Sequence, residues 1–166
     1  MTSTIYSTDP NKEVAVLSVC SPVSGIATEL AEVPDPVFAR GLVGPGIAVT
    51  PGSEPHDVVA PIDGAVVKLH AHAFVVADDQ GRGVLVHLGI DTVRLDGAGF
   101  EILLDGAGER QRVRAGTPMV RWNPADVVAR GHSAAVPVVA LDAAEGAVTQ
   151  AATGEVTRGE QLFLWA

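Results

Sequence analysis

An all-β fold of short antiparallel strands is what this sequence predicts, on three observations. Short apolar runs rich in Val recur about every ten residues, with turn residues between them. The turn formers are abundant, with Gly 18 and Pro 11. Hydrophobic residues make up 47% of the chain and aromatics only 4%, so the core must be built mainly from Val, Ala, Leu and Ile, a composition that favours strands. The length of 166 residues is enough for one domain with a real core.

Taken in order, residues 1–12 are polar and read as a flexible N-terminal tail, with residues 13–166 as a single domain. EVAVLSVCSP is the first strand candidate. DPVFARGL follows as a single helical turn. GPGIAVTPGS, HDVVAPIDGAVVKLHA, HAFVVADDQGRG, GVLVHLGIDT, FEILLDGAGE and QRVRAGTPMVRW continue the strand series. NPADVVARG (123–131) carries a helix start, with Asn123 as N-cap, Pro124 at the first helical position and Gly131 as a stop. AVPVVAL and GEQLFLWA close the series. The expected architecture is an antiparallel sandwich or barrel with one or two short helical turns.

The sequence also echoes itself. SPVSGIATEL (21–30) and APIDGAVVKL (60–69) share a [SA]-P-[VI]-x-G-[IA] core, and RVRAGTPMV (112–120) and EVTRGEQLF (155–163) share V-x-x-G-x-x-[ML]. Each half reads as a β-turn-β unit used twice.

Charge narrows the function. A net charge of −9 with only Lys12 and Lys68 as lysines argues against nucleic-acid binding, which needs clustered cations. A basic partner protein suits such a field. Cys20 is the only cysteine, so no intramolecular disulfide can form and a reducing cytoplasm is expected. No secretory signal is visible at the start, and no apolar stretch approaches a membrane span.

Three of the five histidines lie in the run HAHAFVVADDQGRGVLVHLGIDT (70–92). DDQGRG separates two apolar runs and predicts a hairpin. If paired positions sum to 159, the turn centres between Asp79 and Gln80, and His72 and His87 face each other with Cβ atoms about 5 Å apart. Two rings at that distance resist being cationic together. One neutral nitrogen and one N–H donor suit capture of a tetrahedral anion. Two facing histidines are also half of a zinc site, although Asp91, about 13 Å further along an extended strand, reaches the same metal only if the chain turns sharply.

The block GRGVLVHLGIDTV (81–93) resembles the active-site signature of the enzyme IIA component, glucose family, of the bacterial sugar phosphotransferase system. The match runs through Gly81, three apolar residues, His87, Leu88, Gly89, Ile90, Thr92 and Val93. VPDPVFARGLVGPGIAVTP, VVAPIDGAVV, HAF, LDGAGF and the V-x-x-G strand at 113–116 extend the likeness over about residues 20–165. The resemblance implies an antiparallel β-sandwich built from a duplicated motif of the barrel-sandwich type. It implies His87 as phosphoryl acceptor and His72 as the second active-site histidine. The histidine phosphocarrier protein HPr would be the donor, and a IIB domain of a sugar permease the acceptor. Regulatory protein targets are a further implied class of partner. No cofactor and no metal is implied. Asp35 and Asp91 would meet partner arginines, and Phe38, Leu85 and Val93 would supply apolar contact. Glucose and N-acetylglucosamine both fit. Two departures stand out: His70 occupies a place where relatives often carry Thr, and Leu85 one where many carry Phe.

A zinc metallohydrolase of the LytM type offers HLGID and HAH as motifs, but the order is reversed here and only His132 follows Asp91. A biotinyl or lipoyl carrier needs a lysine at a hairpin tip, whereas Lys68 lies within an apolar run. A non-catalytic regulatory binding module is the remaining alternative.

Overall fold

The computed structural model describes residues 15–105 and 110–166. The expected tail, residues 1–12, lies outside the described residues. Fourteen strands are present among them: β1 (Leu17–Cys20), β2 (Gly25–Glu29), β3 (Gly46–Pro51), β4 (His56–Val59), β5 (Gly64–Leu69), β6 (Ala73–Ala77), β7 (Gly83–His87), β8 (Phe100–Ile102), β9 (Arg112–Val113), β10 (Pro118–Trp122), β11 (Val136–Ala140), β12 (Val148–Thr149), β13 (Gly154–Val156) and β14 (Gln161–Trp165). Two short α-helices interrupt them, α1 (Pro36–Ala39) and α2 (Pro124–Ala129), with single 3-10 turns at Leu30–Glu32 and Thr92–Leu95. Both begin as the sequence predicts. Asp35 caps α1 by accepting from the Val37 N–H at 2.8 Å, and Asn123 caps α2 by accepting from the Asp126 N–H at 3.4 Å.

The strands pair antiparallel into one eight-stranded sheet, β13-β2-β3-β11-β7-β6-β5-β9, and two three-stranded sheets, β1-β14-β12 and β4-β10-β8. The sequence echo has a structural counterpart in this order. The inner half, β4–β10, is continuous in the chain and is inserted into the outer half, β1–β3 with β11–β14. Equivalent bonds recur in both halves. The Cys20 N–H donates to the Pro61 carbonyl, and the Val59 N–H to that of Pro22. The Ala115 N–H donates to Asp63 Oδ1 at 2.7 Å, and the Arg158 N–H to Ser24 Oγ at 2.8 Å. The echo's two glycines have one physical reason. A Cβ at Gly25 would stand 2.1 Å from the Thr50 carbonyl oxygen, and one at Gly64 2.1 Å from that of Ala77. Only glycine lets the paired backbones come so close.

Strand alternation builds two cores. Val84 and Val86 of β7 point into the main one, with Phe74, Val76, Val138, Trp122 and Phe163. Leu85 points the other way, against a smaller cluster of Leu30, Val33, Phe38, Ala48, Ile90, Ala135 and Val139. The segment carrying α1 therefore roofs the outer face of the large sheet beside the end of β7. Each fully buried Val, Leu or Phe adds about 1.5–3 kcal/mol. No helix among the described residues is long and apolar enough to cross a membrane.

Candidate active site

The hairpin of β6 and β7 forms, but its register differs from the expected one. Ala73, not His72, lies opposite His87, and Val75 lies opposite Leu85, so paired numbers sum to 160. The reason is in the turn. Asp78 and Arg82 close it by a backbone bond, Asp78 Oδ1 accepts from the Gln80 and Arg82 N–H groups, and Gly81 takes φ +80°. A left-handed residue at the end of a three-residue loop adds one position and moves the centre onto Gln80.

His72 is consequently not on a strand. It lies in the tight turn between β5 and β6, which His70 and Ala73 close through mutual backbone bonds. A one-residue slip along a regular strand would send the two rings to opposite faces. The bend at 71–72 brings them together instead. The ring centroids of His72 and His87 are 5.2 Å apart at 73°. The Leu88 N–H donates to the His72 carbonyl at 2.7 Å and locks the turn to the end of β7.

His87 has a defined tautomer. Its Nδ1 lies 2.6 Å from the Gly89 carbonyl oxygen, which can only accept, so Nδ1 carries the proton and Nε2 the free lone pair. Gly89 has φ +81°, and a Cβ there would stand 2.6 Å from Thr92 Cγ2 and 2.8 Å from the Ser133 carbonyl oxygen. The Phe38 ring meets His87 edge-on at 5.2 Å. Burial pushes His87 below the usual histidine range, while the bond to Gly89 and the carboxylates of Asp35 and Asp91 oppose it. Burial also lowers His72, and the neighbouring rings of His87 and His70 push the same way. Both rings are therefore neutral near pH 7.

The rim residues divide. Val93 is 61% exposed and Asp91 is exposed, in a left-handed conformation (φ 59°) and without a capping bond from its side chain. Asp35 is half-buried and engaged as the α1 cap. Phe38 is only 7% exposed and Leu85 half-buried, so both belong chiefly to the small core. The apolar surface on the α1 segment comes from Val37 and Leu42, at 46% and 69% exposure. Sequence reading missed these two; an apolar residue preceding Phe38 and one following Gly41 in so short a helical turn cannot all face inward. His70 is exposed and stacks on His72 at 5.7 Å and 22°. Among the described residues no group of three His, Cys, Asp or Glu is arranged to hold a metal ion. Five surface cavities of about 310–550 Å³ are lined by residues other than the two histidines. The pair lies where the β5–β6 turn meets the end of β7.

Comparison with known proteins gives the family. Residues 17–146 match the family described as phosphoenolpyruvate-dependent sugar phosphotransferase system, EIIA 1. The chain is 39% identical over 132 residues to the mannose-specific EIIBCA component of Corynebacterium glutamicum, covering 78% of this chain but 19% of that protein. It thus spans about a fifth of the length of that relative, as it does of the glucoside-specific EIICBA component of Staphylococcus carnosus. It is 33% identical to the glucose-specific EIIA component of Haemophilus influenzae over 96% of this chain and 94% of that one. The solved structure of glucose permease IIA from Mycoplasma capricolum superposes with a TM-score of 0.82 at 31% identity, over 91% of this chain and 96% of that one. A match over so much of the chain, on an antiparallel β-sandwich, places this protein in the EIIA 1 family of the phosphoenolpyruvate-dependent sugar phosphotransferase system.

Proposed function

We propose that residues 13–166 form a single phosphoryl-carrier domain, with His87 as acceptor and His72 as its partner. The observation that carries this is the bond from His87 Nδ1–H to the Gly89 carbonyl, which leaves Nε2 as a neutral nucleophile 5.2 Å, ring to ring, from a second imidazole. The Nε2 lone pair attacks phosphorus in line with the P–N bond of a phosphohistidine on HPr. That bond breaks as the new P–Nε2 bond forms, and the donor ring keeps the electron pair. The Nδ1 proton stays in place, and the Gly89 carbonyl steadies the positive charge that develops on the His87 ring. His72 donates an N–H to the phosphoryl oxygens. Catalysis of this kind is mainly positioning and charge stabilisation.

A IIB component would take the group by the reverse step, on the cytoplasmic side. The net charge of −9, with Asp35 and Asp91 beside the site, favours encounter with a basic surface. Val37, Leu42 and Val93 would give that surface its apolar contact, with Phe38 and Leu85 as the packed support beneath. The sugar would be selected by the membrane component. Relatives are specific for mannose, glucose, a glucoside or N-acetylglucosamine.

The test is incubation with phosphoenolpyruvate, enzyme I and HPr, followed by intact mass. The expected result is gain of one acid-labile phosphoryl group by wild type, none by His87→Ala, and a phosphorylated His72→Ala that donates poorly to IIB. A wild type that stays unmodified, or a His87→Ala protein that gains the group, refutes the proposal.

A further inference from the structure

Three consecutive peptide groups after His87 are each held by a different partner. The Leu88 N–H, in the first, donates to the His72 carbonyl at 2.7 Å. The Leu88 carbonyl, in the second, accepts from Thr92 Oγ1 at 2.7 Å. In the third, the Ile90 N–H donates to the Ser133 carbonyl at 3.0 Å, which turns the Gly89 carbonyl the opposite way, onto His87 Nδ1 at 2.6 Å. Thr92 grips two of these groups at once. Its hydroxyl holds the Leu88 carbonyl, and its Cγ2 methyl lies against Gly89, 2.6 Å from where a Cβ would be. The side chain is fully buried, so water cannot replace the hydroxyl.

From this arrangement we infer that Thr92 is a positioning residue that decides which nitrogen of His87 reacts. The inference rests on His87 being the phosphoryl acceptor. The hydroxyl fixes the Leu88–Gly89 peptide, so the following carbonyl stays aimed at Nδ1 and keeps the proton there. Only Nε2 then offers a lone pair to phosphorus. Without the hydroxyl the Leu88 carbonyl is left unpaired in the core, the turn relaxes, and the proton is free to move to Nε2. Nδ1 then becomes a competing nucleophile, and the phosphoryl group distributes between two P–N isomers.

The experiment uses ¹⁵N-labelled full-length protein at about pH 8, where histidine is neutral. Long-range ¹H–¹⁵N spectra should show one Nδ1–H tautomer for His87 in wild type. Thr92→Val and Thr92→Ala should show a mixture, phosphorylation by phospho-HPr slowed about tenfold, and a ³¹P signal from Nδ1-phosphohistidine beside the Nε2 form. Thr92→Ser, which keeps the hydroxyl and loses the methyl, should keep the single tautomer and the single isomer. An Nε2–H tautomer in wild type overturns the inference. So does a folded Thr92→Val or Thr92→Ala protein with the wild-type tautomer and only Nε2-phosphohistidine. If neither of those folds, loss of the tautomer in folded Thr92→Ser overturns it. The tautomer is read without any phosphoryl donor, so a wild type that HPr cannot phosphorylate defeats the carrier reading separately.

Discussion

Gly89→Ala should damage stability and chemistry together. Two costs add. The backbone sits at φ +81°, in the left-handed region, where a residue with a Cβ loses about 1–2 kcal/mol. The new methyl would also stand 2.6 Å from Thr92 Cγ2 and 2.8 Å from the Ser133 carbonyl oxygen, and overpacking of this kind costs about 1–3 kcal/mol. The sum is roughly 2–5 kcal/mol, which for a chain of this size lowers Tm by roughly 4–20 °C. Because the carbonyl of the same residue holds His87 Nδ1, phosphorylation should slow as well. Urea unfolding followed by the fluorescence of Trp122 and Trp165, both buried, measures the first effect. Gly52→Ala is the control: a Cβ there meets nothing within 4 Å, so its stability should stay within about 0.5 kcal/mol of wild type. If Gly89→Ala unfolds at the same urea concentration as Gly52→Ala, the reasoning about this turn is wrong.

Arg82→Ala should cost about 1–3 kcal/mol, because Arg82 forks onto Asp78 Oδ2 and also donates to the carbonyls of Ala15 and Trp165 from a largely buried side chain. Thermal unfolding checks it, and Arg82→Lys should recover little, since a single ammonium cannot reproduce the fork. The pH dependence follows from the lowered values of His72 and His87, whose ordinary value is 6.5. The folded state binds fewer protons than the unfolded one, so the contribution of these rings to stability is full above about pH 6.5 and is lost as the pH falls through the lower folded values. Urea midpoints across that range should decline for wild type and decline less for a His72→Gln/His87→Gln protein; equal slopes would show that other groups set the acid limb.

Much of this was legible in the chain itself. The Val-rich runs located most strands, because a residue such as Val86 is buried in the same alternation that the pattern displays. The two helix starts were readable because Asp35-Pro36 and Asn123-Pro124 carry their own caps. The histidine pair was recognised as a unit, yet its register came out one residue off. DDQGRG fits a loop of even or odd length, and only the left-handed Gly81 decides between them. Strands β2, β12 and β13 were not among the strand candidates: GIATE holds too short an apolar run, and two or three residues are too few to display a period. Burial was the least readable property. Phe38 and Val37 are adjacent and both apolar, and nothing in their identity says that the first props His87 while the second faces solvent.

The two halves of the strand plan treat one equivalent position differently. In the inner copy Ala73 pairs with His87, and in the outer copy Gly46, at the corresponding place on β3, pairs with Val139. Val139 is thus the counterpart of His87, and it is fully buried in the small cluster beneath α1. One half carries an imidazole at this position, and the other uses it for packing. The outer copy supplies Phe38, which abuts the His87 ring, and the Ser133 carbonyl, which orients the turn that follows it. Two halves of one strand plan thus play unequal parts: the inner half presents the imidazole, and the outer half packs beneath it and props it.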